Sequence, residues 1–211
     1  MKWLKILIVS LSCAFAGIAA QAQNSPTVEA PNQLIERVSN DVLGLLKNDP
    51  AIRSGNIDHI VEVVNEKVLP YLDFRRMTAM AIGPKWREAT NAQKDSIEHE
   101  FQMMLIRTYA GALDQVPQDV KITMLPYRAA PEDTDVTVKT EIHTGAPTPV
   151  ELSYRLRLGD SGWRVYNVNV AGVWMVENYR SQFQPILNSQ GLEGLIKALQ
   201  ERSFSGDGKS S

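Results

Sequence analysis

The 211-residue chain has one cysteine, three histidines and no excess of basic side chains. The cysteine, Cys13, lies in an apolar run from Ile6 to about Ala19, after Lys2 and Lys5 and before Ala20-Gln21-Ala22. A basic start, a short apolar stretch and a small-x-small site form the pattern of a secretory signal cut after Ala22. The run is too short for a comfortable membrane span. Ser10 stands where a lipoprotein signal wants leucine, which argues against lipidation of Cys13. The rest of the chain then has no cysteine, which excludes disulfides, thiolate metal sites and a cysteine nucleophile. It has no glycosylation sequon either. The expected compartment is the periplasm of a Gram-negative bacterium.

Other absences narrow the chemistry. Without Lys2 and Lys5 there remain 20 basic and 24 acidic side chains, a net charge of −4. No basic stripe interleaved with aromatics is present, which disfavours a nucleic-acid partner. His59 and His99 are far apart, the stretch His99-Glu100-Phe101 has no second histidine at i+4, and no acids carry calcium-loop spacing. Glu98 and Glu100 point to different sides of their helix and form no paired-acid site. The glycines sit at helix ends and turns, away from any phosphate-cradling loop. Neither a metal nor a cofactor is expected.

One motif invites a catalytic reading. Gly159-Asp160-Ser161-Gly162 is the tetrapeptide that surrounds the nucleophile of trypsin-like proteases. A serine protease also needs a histidine held by a carboxylate. The histidines here fall on helix faces (His59, His99) or at a strand end (His143). The tetrapeptide lies between two strongly alternating strands, where glycine and aspartate can supply the positive torsions of a tight hairpin. Ser161 reads as a turn residue.

What the chain does have is periodic. From Pro31, residues Leu34, Ile35, Val38, Val42, Leu45 and Leu46 share a helical stripe that ends at Asn48-Asp49-Pro50. Asn56 can cap a second helix carrying Ile57, Ile60, Val61, Val64 and Val68, and Pro70 stops it. Asp73 can cap a third, with Phe74, Met77 and Met80 on one side and Gly83 at its close. Trp86 is expected to pack inward. Thr90 and Gln93 form a capping box for the longest helix, to about Leu113, with Ile97, Phe101, Met104, Leu105, Tyr109 and Ala112 in line. After Pro117 the period becomes two. Val120–Met124, Val136–Ile142, Val150–Leu158 and Trp163–Val170 read as four strands of an antiparallel meander, apolar on one face and charged on the other. Helices over about 174–187 and 191–201 close the chain. Residues 23–30 read as a flexible leader, 31–202 as one domain and 203–211 as a disordered tail. The fold class is α+β, with helices packed on one face of the sheet.

Two features hint at a ligand. Met77, Met80, Met104 and Met124 fall on inward faces, where unbranched methionine suits flexible apolar partners or simply fills a core. Val173, Trp174, Met175 and Val176 form an apolar run where a helix should start with a polar cap. That run implies either a buried start on the open end of the sheet or a hydrophobic staple.

At these residues the chain resembles the MlaC-type periplasmic phospholipid carriers, the toluene-tolerance protein family, from about Ile35 to Leu199. The resemblance rests on "VLPYLDFRRMTAMAIGPKWREATNAQKDSIEHEFQMMLIRTY", with Pro70, Asp73, Gly83, Trp86, Thr90, Gln93, Phe101, Leu105 and Tyr109 in the family positions. In the second half it rests on Trp163, "VYNV", "GVWMV" and "NYRSQF". It departs at Asn167 and Ala171, where relatives carry acids, and at Trp174, where they carry a small residue.

The resemblance implies a monomeric carrier that takes a glycerophospholipid by its tails, without chemistry. It would pass the lipid between an outer-membrane lipoprotein–porin complex and an inner-membrane ABC transporter with its MCE-type ring. The tails would need an apolar pocket between sheet and helices. On the helices the expected lipid-binding set is Met77, Met80, Phe101, Met104, Leu105 and Tyr109. On the strands it is Ile122, Met124, Val136, Val138, Leu152, Tyr154, Leu156, Val168 and Val170. Val173, Trp174 and Val176 join it at the handover from strand to helix. The alternatives are a small isomerase or dehydratase that encloses its substrate, or a periplasmic chaperone-like protein that binds exposed apolar segments.

Overall fold

The computed structural model describes residues 28–201. The expected signal sequence, most of the leader and the tail lie outside that range. Of the leader, Glu29 is held by Arg37, whose Nη2 stands 2.7 Å from Glu29 Oε2.

The helical half is set by side-chain caps. Helix α1 (Pro31–Asn48) is followed at once by α2 (Pro50–Arg53), because Asp49 accepts hydrogen bonds from the backbone of Ala51 and Ile52. The Asn48-Asp49-Pro50 break therefore starts a second, short helix that the sequence pattern did not indicate. Asn56 caps α3 (Ile57–Val63) at His59 N, and the chain then widens into a π turn at Val64–Val68 before a 3₁₀ turn at Leu69–Tyr71. Asp73 caps α4 (Phe74–Ile82), and Gly83 closes it at φ 73°, a torsion that favours glycine. Thr90 and Gln93 form both halves of the capping box on α5 (Asn91–Ala110), which stops short of Leu113.

Strands β1 (Lys121–Met124), β2 (Asp135–His143), β3 (Val150–Gly159), β4 (Gly162–Val170) and β5 (Val173–Trp174) form one antiparallel sheet in chain order. The expected four strands are five, because the chain turns back after Val170 and pairs Val173 with Val170 and Trp174 with Asn169. Ala171 takes φ 50° and Gly172 φ 91° in that turn. Ser161 sits in the two-residue turn between Gly159 and Gly162, which pair with each other. The positive torsion falls on Gly162 (φ 91°) and not on Asp160. Helix α6 (Met175–Gln200) joins the two closing helices and is broken between them at Gly191, whose φ 68° and ψ −163° are non-helical.

The helices do not all pack on one face. Leu156 pairs with Val165 but Arg155 pairs with Asn167, which leaves Tyr166 as the extra residue of a β-bulge. On the alternating apolar face, Val136, Val138, Leu156 and Val165 pack with Leu34 and Ile35 of α1. The bulge turns Tyr166 to the charged side, where its hydroxyl donates to Asp135 at 2.8 Å. There Tyr166 packs with Phe74 and Met77 of α4 and with Val176, Tyr179 and Phe183 of α6. One extra residue in β4 thus gives the sheet helical neighbours on both sides. Leu72 packs against both clusters and bridges to the edge of β4 at Val165.

Candidate functional site

The expected lipid-binding residues fall into two apolar clusters rather than one. Met77, Phe101, Met104 and Val176, with Met80 and Leu105 half-buried beside them, belong to the cluster among α4, α5 and α6. Val136, Val138 and Leu156, with Met124, Tyr154 and Val168, belong to the cluster between α1 and the sheet. Ile122, Leu152 and Trp174 are half-buried outside both. Tyr109, Val170 and Val173 are exposed, Val173 by 52%.

The centre of the first cluster is aromatic. Phe101 meets Tyr179 edge-on at 5.0 Å and Phe183 at 5.1 Å, with Phe74 at 5.6 Å. Such contacts add to the burial term without demanding polar partners. Burial raises the pKa of the Tyr179 hydroxyl, which lies 3.4 Å from that of Tyr109. Burial likewise raises the pKa of Tyr154, whose hydroxyl lies 3.5 Å from Thr140 Oγ1. These phenols stay neutral, and both apolar clusters are free of their charge.

A cavity of about 450 Å³ opens between α4 and the start of α6. Met80 and Val176, both in the expected set, line it together with Ala79, Gly83, Pro84, Trp86 and Glu177. Three arginines that the sequence reading did not select, Arg76, Arg87 and Arg180, complete its wall. A pattern for two of them was visible: Arg76 stands one turn before Met80, and Arg180 one turn after Val176, on shared helix faces. Trp86 is half-buried and carries cations on its ring, with Arg75 at 5.7 Å and Lys94 at 5.8 Å from its centroid.

The polar cap missing from the start of α6 comes from a strand. Trp174 occupies the N-cap position with no side-chain bond. Asn167, fully buried on β4, accepts from Val176 N at 3.2 Å and donates to Glu177 Oε2 at 2.7 Å. Glu177 Oε1 faces Arg155 at 3.4 Å, and the Arg155 guanidinium stacks 4.0 Å over the Trp174 ring. Asn167, Glu177, Arg155 and Trp174 thereby lock the β4–β5–α6 junction beside the cavity. Among the described residues no group of three or more metal-ligating side chains comes together, and no helix is long and apolar enough to cross a membrane.

Comparison with known proteins places these features. A family model described as MlaC protein matches residues 36–201. The intermembrane phospholipid transport system binding protein MlaC of Haemophilus influenzae is 24% identical over 206 residues, 95% of this chain and 92% of that protein. The toluene tolerance protein ttg2D of Pseudomonas putida is 25% identical over 165 residues, 77% of this chain and 75% of its own. Among solved structures, a phospholipid-binding protein of Ralstonia solanacearum, in complex with a phospholipid, matches with a TM-score of 0.78 and 37% identity. That match covers 82% of this chain and 97% of the other.

Proposed function

The chain belongs to the MlaC family, and from that premise we propose that it is a periplasmic phospholipid carrier that reacts with nothing. The observation that carries this reading is the match, at 37% identity over 82% of the chain, to a protein solved with a phospholipid bound. The tails of one glycerophospholipid lie among apolar side chains of the expected set, and the headgroup stays near water. The exposed pair Val170 and Val173, which face each other across β4 and β5, stands at the mouth. The lipid passes between an outer-membrane lipoprotein–porin complex and an inner-membrane ABC transporter with its MCE-type ring, after export by a cleaved signal sequence.

Energetics favour enclosure over a surface groove. Two acyl chains expose about thirty methylenes, and at about 0.8 kcal/mol each their transfer from water is worth more than ~20 kcal/mol. At about the ~30 Å³ of one water per methylene, they need roughly 900 Å³. The 450 Å³ cavity holds at most part of that, and the flexible side chains of Met77, Met80 and Met104 beside it yield the rest by moving. The test is organic extraction of the purified protein, followed by mass spectrometry and by intact-mass measurement under native conditions. The expected result is glycerophospholipid near one per protein. Well-folded protein that repeatedly purifies empty and takes up no added lipid would refute the carrier reading; a bound small metabolite would favour an enzyme.

A further inference from the structure

Arg37 pairs with Glu29, Arg75 with Asp95 and Glu98, and Arg155 with Glu177. Among the described residues, Arg76, Arg87 and Arg180 make no ion pair, and neither do Arg53, Arg107, Arg128, Arg157 and Arg164. The first three, however, are gathered in one cavity. Its single carboxylate, Glu177, is already engaged by Asn167 and Arg155. The Arg76 guanidinium lies 4.8 Å from the centroid of Tyr166, and its Nε is enclosed without any acceptor in the protein. An enclosed charged donor with no acceptor is costly, and native proteins keep few of them without a use.

The shape of the cavity fits the same use. Gly83 carries no Cβ, and one built there would stand 3.3 Å from Arg180 Nη2 and 3.6 Å from its Cζ, so glycine lets that guanidinium lie against the end of α4. Met80, Trp86 and Val176 make the remaining wall apolar. A wall with three guanidinium groups, one occupied carboxylate and apolar flanks suits an amphiphile with an anionic end. Guanidinium forks match the oxygens of phosphate, to which they donate paired hydrogen bonds.

We propose that Arg76, Arg87 and Arg180 bind a phosphate group in this cavity. The shared chemistry is a tetrahedral phosphate anion, supplied by the phosphodiester of a phospholipid headgroup or by free phosphate. The proposal rests on the carrier reading and adds to it a site that selects phosphorylated lipids over lipids with the same tails.

The test uses delipidated protein and two probes with identical acyl chains, phosphatidylglycerol and diacylglycerol, the second without phosphate. Wild-type protein is expected to prefer phosphatidylglycerol by about tenfold or more, the scale of one or two hydrogen bonds to a charged group. Arg87→Gln with Arg180→Gln is expected to remove that preference while diacylglycerol binding persists. Arg180→Gln alone, with its fold checked by circular dichroism, serves if the double variant does not fold. Inorganic phosphate that competes in wild type but not in the variant would support a site open to the free anion. An arginine-dependent preference without such competition would support the lipid headgroup as the source.

If wild type bound both lipids equally, or the variants kept the preference, the phosphate site would be overturned and the carrier reading would stand. Arginines that serve an acidic protein partner would give that result. If wild type bound neither lipid, the carrier reading would fail and this proposal with it.

Discussion

Asn167 holds the first turn of α6, and its removal has a calculable cost. Its Oδ1 accepts from Val176 N and Val168 N, at 3.2 and 2.9 Å, and its Nδ2 donates to Glu177 at 2.7 Å. Asn167→Ala deletes the only side-chain cap that this turn receives among the described residues, a loss of about 1 kcal/mol. It also leaves the Val168 N–H without this acceptor, which costs about 1–3 kcal/mol. Glu177, half of whose side chain is exposed, turns to water and adds little. The sum is about 2–4 kcal/mol. At roughly 2–4 °C per kcal/mol for a domain of this size, the melting midpoint should fall by about 5–15 °C. A fall of less than about 2 °C in calorimetry would show that the cap is not needed.

Asn167→Asp separates capping from charge. The aspartate can still accept from both backbone N–H groups and gains from the helix N-terminus. It cannot donate to Glu177, so two carboxylates would meet where an amide N–H donated a 2.7 Å hydrogen bond. Such a pair holds a proton between them, and one folded-state pKa rises. A raised carboxylate gives stability that is present at low pH and is lost as pH climbs through the raised value. The midpoint of this variant should therefore approach wild type near about pH 5 and fall below it at about pH 8. The alanine deficit should not depend on pH. Adding Glu177→Gln to Asn167→Asp should flatten the pH profile; a profile that stayed steep would refute the assigned pair.

Other outcomes follow from single contacts. Phe101→Ala, which removes the ring that touches Phe74, Tyr179 and Phe183, should cost about 3–5 kcal/mol in denaturant melts, and a cost under about 1 kcal/mol would mean the cluster repacks. The 2.7 Å link to Asp49 raises the pKa of His59 and lowers that of Asp49. The stability due to His59 is present below its ordinary pKa and fades as pH rises through the raised value, and the share due to Asp49 fades as pH falls through the lowered one. The midpoint advantage of wild type over His59→Gln should accordingly peak between those two limits; an advantage that grew towards alkaline pH would refute the pairing. Val173→Glu, at an exposed position, should keep the midpoint within a few degrees and purify with clearly less phospholipid. Wild-type lipid content in that variant would remove Val173 from the mouth.

The elements that could be read from sequence are those decided by local chemistry. Asn56, Asp73 and Thr90 start helices where a side chain can reach an N–H three residues ahead, Gln93 reaches back to the N–H of Thr90, and the structure has all four in those roles. The meander was equally legible, because alternation in β2 and β3 assigns each residue to a face. What was illegible depends on contacts between distant segments. The bulge at Tyr166 shifts β4 by one residue, and continued alternation gave no hint that Tyr166 and Val168 would part company. Asn167 reads only as a departure from the family pattern until α6 is placed beside it. The arginines of the cavity come from α4, the turn after it and α6, some hundred residues apart in part, and no local pattern unites all three.

A carrier must keep its fold both with its lipid and without it. Lipid tails are worth more than ~20 kcal/mol of transfer energy on being enclosed, whereas a whole domain is stable by only about 5–15 kcal/mol. A rigid apolar void large enough for both tails would therefore threaten the empty fold, since each lost contact across a void weakens its lining. Side chains that fill the space when no lipid is present remove that threat, provided they can yield without breaking the fold. Methionine does this with rotamer changes alone. The aromatic centre at Phe101, Tyr179 and Phe183 is stiffer, and it sits between α5 and α6, where it can hold the helices while Met77, Met80 and Met104 around it move. On the carrier reading, the division between fixed aromatics and yielding methionines is what allows one chain to stay folded in both states.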